Sequence, residues 1–283
     1  MIDLINTSLD KYLQIKYPEK IYESMRYSVL NGGKRIRAML VLLTCEAFFG
    51  KIEEAMPFSC AIEMIHAYSL IHDDLPALDN DDLRRGKPTN HKVFGEAMAI
   101  LAGDALLNSA FEIMTNLCTL KNELRFIKAM DEIVKASGVS GMIGGQVMDI
   151  LSEGQEIDRI TLEYIHKNKT AALFKASVCA GAYIACASLE KIEKLKDASD
   201  YFGIAFQIKD DLLDIQSTHE ILGKPIKSDE KNHKATYVKI YGLEKAEKDY
   251  LKYSQRVLEI LESIDLSNTK LYEYIKTVFD RNY

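Results

Sequence analysis

The sequence predicts an all-α fold, on three observations. Apolar residues recur three and four apart along most of the chain, no stretch alternates apolar and polar residues as a half-buried strand does, and the five prolines fall at helix starts or in loops. The periodicity runs through Tyr22–Leu30, Ile36–Phe48, Ala55–Ile71, Val93–Leu117, Leu162–Leu189, Ala198–Ile215 and Glu244–Ile264. Residues 1–17 carry Asp3 and Asp10 without an apolar core and cleavage site, so an ordinary helix is expected there, not a signal peptide. Breaks fall at Asn31–Gly33, Asp79–Thr89, Ser152–Asp158 and Leu222–Lys234, and none is a Ser/Gly/Pro linker. One domain over residues 1–283 is the expectation.

Composition narrows the function classes. Of 283 residues, 47% are hydrophobic and 28% charged, a balance that buries a core and is neither disordered nor membrane-spanning. A net charge of -6 gives none of the basic footprint that nucleic acid requires. The apolar run from Ala97 to Leu107 is broken by Asp104 well before it could span a bilayer, so no integral membrane segment is expected. Five scattered cysteines, with no CxxC spacing, read as reduced core residues of a cytoplasmic protein.

Two aspartate clusters carry the chemistry. In Asp210-Asp211-Leu212-Leu213-Asp214, closing the apolar helix Phe202–Ile215, Asp210 and Asp214 stand i, i+4 on one face with Asp211 beside them. Such repulsion is resolved by a cation, and hard oxygen ligands favour Mg²⁺ with substrate phosphates completing its shell. A solvated acidic helix end is the plainer alternative. The first cluster holds Asp73, Asp74, Asp79, Asp81 and Asp82 around Pro76. On a regular helix Asp73 and Asp79 point about 120° apart. Pro76 breaks that regularity, so the chain bulges and Asp79 swings back toward Asp73.

Basic residues cluster at two of these breaks. Gly32-Gly33-Lys34-Arg35-Ile36-Arg37 opens a helix, and Arg84-Arg85-Gly86-Lys87 trails the first cluster. Arginine forks and the free N–H groups of a helix start both suit phosphate. Acidic metal clusters beside separate basic pockets imply two phosphorylated substrates, one presented through metal and one through side chains.

The ordered segments GGKRIR (32–37), SLIHDDLPALDNDDLRRGKPTNHKVFG (69–95), LAGDAL (101–106), GMIGGQVMD (141–149), HKNKTAALF (166–174) and FGIAFQIKDDLLD (202–214) resemble the trans-isoprenyl diphosphate synthase family, on its bacterial farnesyl diphosphate synthase side. The resemblance covers most of the chain. It implies an isoprenoid synthase fold, a helical bundle around a central apolar cavity, and a homodimer. It implies condensation of isopentenyl diphosphate with dimethylallyl and then geranyl diphosphate, with Mg²⁺ as cofactor, three ions once substrate is bound. By the same resemblance Asp73, Asp74, Asp79, Asp210, Asp211 and Asp214 fall on the metal motifs, with Asp74, Asp211 and Asp214 acting from behind the ligands. Arg84, Lys169, Thr170, Gln207, Lys224 and Lys234 match positions that hold the allylic diphosphate or its developing cation, and Lys34, Arg37, His66 and Arg85 match the isopentenyl diphosphate pocket. Tyr68, five residues before Asp73, is expected at the cavity floor, where its bulk stops chain growth.

Two departures from the family pattern stand out. Lys227 replaces a glycine in the late loop, Gly223 to Asp229. The tail 279–283 is less basic than those that close over the second diphosphate, so no closing role is expected of Arg281. A geranylgeranyl diphosphate synthase is the nearest rival reading. A terpene cyclase is disfavoured by Asp210–Asp214 and the 32–37 segment, and a non-catalytic subunit by the presence of both clusters.

Overall fold

The periodic segments become helices whose apolar surface only lateral packing can hide, a single stripe in residues 243–262 and nearly the whole circumference in residues 36–47 and 54–65. The computed structural model describes residues 1–220 and 236–281. Helices α1 (Ile2–Tyr12), α2 (Glu19–Leu30), α3 (Ile36–Ala47) and α4 (Ile52–Asp73) lead to a minimal antiparallel hairpin, β1 (Leu83–Arg84) and β2 (Lys87–Pro88). Next come α5 (Asn90–Phe94), α6 (Glu96–Lys121), α7 (Leu124–Ser137), α8 (Met142–Leu151) and α9 (Arg159–Ile165), then a π-helical turn (His166–Ala171). The chain ends with α10 (Ala172–Ile184), α11 (Leu189–Glu220), α12 (Tyr237–Tyr241), α13 (Leu243–Glu262) and α14 (Lys270–Phe279).

At the centre α4 packs on α6 and α3, α10 on α7 and α3, and α11 on α13. One apolar core draws on Ile5 of α1, Leu40 of α3, Phe58 and Ile62 of α4, Phe126 of α7, Phe174 of α10 and Phe279 of α14. The rings of Phe174, Phe202 and Phe206 meet there edge to face or tilted, with centroids 4.8 to 6.1 Å apart. Such pairs add roughly 0.5–1.5 kcal/mol each beyond their buried area.

Several expectations from periodicity are corrected. Val93–Leu117 is two helices, because Gly95 at φ 85 ends α5 and starts α6. Leu162–Leu189 divides into α9, the π turn, α10 and the start of α11. The second aspartate cluster lies inside a helix that continues to Glu220, so it does not end one. Pro57 sits inside α4. The amphipathic helices α7, α8 and α14 were not picked out, and neither was the short hairpin. Four cysteines are buried and unpaired, while Cys186 is exposed at a left-handed turn. The break at Leu222–Lys234 lies outside the described residues. Helix α6 is 26 residues long and, by length and composition, apolar enough to cross a membrane. In the fold it is a bundle helix that buries Ala99, Ala102, Leu106 and Ala110 and turns Asp104 outward.

Candidate active site

Helix α4 stops at Asp73, and the Pro76 turn carries the chain back. The Asp79 N–H donates to the Asp73 carbonyl at 2.9 Å, and Asn80, at φ 51, donates to the Leu75 carbonyl. The expected return of Asp79 therefore occurs, by leaving the helix instead of bulging within it. Gln146 of α8 donates to Asp73 Oδ1 at 2.7 Å. Asp74 points elsewhere. It is buried and receives Arg84 through Nε, at 2.8 and 2.9 Å, and Nη2, at 2.5 Å. Burial pushes its carboxyl up and the Arg84 guanidinium works against that shift. Asp74 thus braces Arg84 instead of pointing with Asp73, because successive residues at a helix end point about 100° apart.

The second cluster divides in the same way. Asp210 is half-exposed in a cleft, and Asp214 is exposed. Asp211 is buried and turned toward α12, where it accepts the Tyr237 N–H at 2.6 Å and the Gln207 amide at 3.2 Å. The expected convergence of three carboxylates is reduced, since Asp211 holds the start of α12. Gln207 also accepts from the Thr170 hydroxyl at 3.2 Å. A chain of polar contacts thereby links the π turn, α11 and α12.

Lys169 lies in the π turn, a local widening that recurs at functional sites. Its ammonium sits 2.6 Å from Asp149 of α8. Gly145 permits this approach, because a Cβ there would lie 2.1 Å from the Lys169 backbone nitrogen. Lys224 and Lys234 lie outside the described residues, as do Lys227 and Asp229.

The basic pocket forms around α3. Arg85 donates to the Gly32 carbonyl at 2.6 Å. Arg37 spreads over the Phe174 ring at 4.3 Å and reaches the His66 Nε2 at 3.5 Å, while its own Nε is buried with no partner. Burial lowers Arg37 to about 10, against the pull of Glu63 and Asp210. His66 is held well below its ordinary value by burial and then by Arg37, Arg85, Arg84 and Arg35, so the imidazole is neutral. Lys34 is also lowered, by partial desolvation and then by Arg281. Arg35 is structural. Buried, it bonds Asn6, Glu63 and the Val29 carbonyl. The expected anion site at the start of α3 is partly filled by the protein itself, since Ala38 N–H donates to Glu63 Oε1.

Two cavities meet between these walls. One, of about 310 Å³, is lined by Tyr68, Leu70, His72, Asp73, Met142 and Leu173 among others. The second is a wider cleft of about 890 Å³ with Lys34, Arg37, Arg84, Arg85, Asp210 and Arg281 in its walls. Arg37, His66, Leu70 and Thr170 line both, so the two spaces share a wall. The apolar cavity falls within the size range of small-molecule sites. Arg281, from which no closing role was expected, is buried in the cleft and donates to Asp210 Oδ1 at 2.6 Å.

Sequence reasoning missed Gln146, Asp149 and Glu63. The first two stand three apart on one face of α8, inside a segment singled out on other grounds, so helical spacing was the available signal. Glu63 carries none, being one acidic residue on an otherwise apolar helix.

Comparisons with known proteins identify the family. Residues 18–276 match the polyprenyl synthetase family. The farnesyl diphosphate synthase of Geobacillus stearothermophilus is 43% identical over 282 residues, covering 99% of this chain and 95% of that protein. The large subunit 1 of the chloroplastic heterodimeric geranylgeranyl pyrophosphate synthase of Arabidopsis thaliana is 48% identical, covering 86% of this chain and 67% of that protein. An FPP/GFPP synthase structure from Zymomonas mobilis superposes with a TM-score of 0.86 at 34% identity, covering 98% of this chain and 94% of that one. The chain belongs to the polyprenyl synthetase family.

Proposed function

We infer that this protein is a short-chain trans-prenyltransferase that joins isopentenyl diphosphate to dimethylallyl and then geranyl diphosphate, giving farnesyl diphosphate and pyrophosphate. The observation that carries this reading is the shared wall between an apolar cavity with Asp73 at its edge and a cleft lined by Lys34, Arg37 and Arg85. One space suits a hydrocarbon tail and the other a second diphosphate.

The donor chemistry suits Mg²⁺: Asp73, Asp79 and Asp210 carry hard carboxylate oxygens, with Gln146 and Arg281 also donating to Asp73 and Asp210. Among the described residues no three such side chains converge on one point, so substrate phosphates would complete the shell. Asp74 and Asp211 are engaged by Arg84 and by Tyr237 with Gln207. Three Mg²⁺ ions, held with substrate by Asp73, Asp79 and Asp210, would supply the countercharge for a departing pyrophosphate. Arg84 and Lys169, oriented by Asp74 and Asp149, face that charge from the protein side. Arg37 and Arg85 hold the second diphosphate, and neutral His66 serves as a hydrogen-bonding wall. Leu70, Leu78, Met142 and Leu173 exclude water from the cation left by ionisation. Pyrophosphate itself is the proton acceptor that the reading assigns.

The same reading treats residues 1–283 as one domain, supported by the core shared from α1 to α14. It assembles as a homodimer, supported by the exposed apolar side chains Ile100 and Leu101 on α6. A reducing cytoplasm suits its free thiols. The test is incubation with Mg²⁺, isopentenyl diphosphate and each allylic primer, followed by chromatography of the dephosphorylated products. A dominant fifteen-carbon alcohol is expected. No elongation of any primer overturns the reading, and a dominant twenty-carbon product transfers the protein to the geranylgeranyl class.

A further inference from the structure

We propose that His72 is a positioning residue for product length: it braces Tyr68 from helix α6 and so sets the depth of the apolar cavity. The inference rests on the reading of that cavity as the space that measures the growing chain.

Tyr68 and His72 are one turn apart on α4, and both line the cavity. Their rings meet edge to face, with centroids 5.8 Å apart and planes at 78°. The Tyr68 hydroxyl is buried without a hydrogen-bond partner, so packing alone orients that ring. His72, by contrast, is anchored across the helix interface. Its Nε2 lies 3.0 Å from the Ile100 carbonyl and therefore carries the proton that bonds it, with Asp104 Oδ1 4.0 Å away.

The anchor depends on one glycine. A Cβ on Gly103 would lie 2.1 Å from His72 Nε2, 2.5 Å from Cδ2 and 2.8 Å from Cε1. The imidazole thus occupies a notch in α6 that exists only because residue 103 has no side chain. Filling the notch drives the ring back toward Tyr68 and the cavity. Emptying it leaves Tyr68 with neither a hydrogen bond nor a neighbouring ring to hold it.

These opposite displacements provide the test. His72→Ala is expected to lengthen the product, raising the ratio of twenty- to fifteen-carbon chains roughly two- to tenfold, the span of one aromatic edge contact converted to a rate ratio. Gly103→Ala, which adds a good helix former to a helix interior, is expected to shorten it toward ten carbons. In the His72→Ala background Gly103→Ala should change nothing further, because no ring remains to be pushed. Circular dichroism establishes that each variant is folded, and the product ratio is a readout that mere packing does not move. Unchanged ratios in both single variants overturn the proposal, as do shifts of one sign that add in the double variant. A wild-type protein that elongates no primer overturns the prenyltransferase reading instead, and this inference falls with it.

Discussion

The guanidinium of Arg281 donates to Asp210 Oδ1 at 2.6 Å while lying 3.8 Å from the Phe206 ring centroid, so the end of the chain closes on the second aspartate cluster. If Asp210 holds Mg²⁺ as proposed, Arg281 competes with the ion for that carboxylate. Arg281→Ala is expected to tighten Mg²⁺ binding roughly fivefold, the scale of a partly exposed ion pair, in calorimetric titrations with pyrophosphate present. An unchanged midpoint rules the competition out.

Asp210→Asn is expected to lower turnover roughly 10²- to 10³-fold at saturating Mg²⁺ with the fold retained, as loss of a preorganised charge partner does. From like-charge repulsion alone the change would stabilise the protein. The ion pair with Arg281 reverses that expectation, and a melting temperature lower by no more than about 4 °C is predicted. Full turnover in the variant sinks the metal role of Asp210.

Arg37→Ala separates the two diphosphate sites. Its buried Nε has no partner, a donor suited to a ligand. Steady-state kinetics should show the Michaelis constant for isopentenyl diphosphate rising roughly ten- to a hundredfold, and that of the allylic primer far less. Equal rises contradict the placement.

Tyr68→Ala should move the main product from fifteen carbons to twenty or more. One helical turn is about 5.4 Å, close to the length of an isoprene unit. A protein destabilised by about 3–5 kcal/mol with an unchanged fifteen-carbon peak means that Tyr68 is core packing only.

Stability should fall in mild acid. His166, buried and stacked on Tyr237 with centroids 6.4 Å apart, is lowered by burial to about 4, with Asp149 opposing; His66 shifts the same way. Both rings fold neutral, so the unfolded chain binds more protons, and the stability present above pH 6.5 is lost as pH falls toward 4. For His166 this amounts to about 2 kcal/mol between pH 7 and 5. Urea midpoints at those two pH values measure it, and His166→Asn should flatten the slope. An identical slope in that variant refutes the assignment.

Much of the site was legible in the order of residues. Apolar spacing marks which face of α2 or α13 is buried, and the distance from Asp73 to Asp79 around Pro76 announces a turn that brings them together. The GGKRIR and DLRRG segments locate the basic wall of the cleft in the same local way. These features depend on neighbours within about two helical turns, so sequence alone determines them.

Which carboxylates line the two cavities was decided only by the tertiary structure. Asp73 and Asp74 are adjacent, yet one meets Gln146, 73 positions away, and the other meets Arg84 from the far side of a turn. Asp211 is drawn to Tyr237, 26 positions on, and Arg281 reaches Asp210 across 71 positions despite a tail that reads as weakly basic. The notch at Gly103 exists only where α6 crosses α4. A side chain's charge and direction from its own helix are local properties, whereas the donor that neutralises it comes from whichever element packing sets beside it, and that choice is made by the whole core.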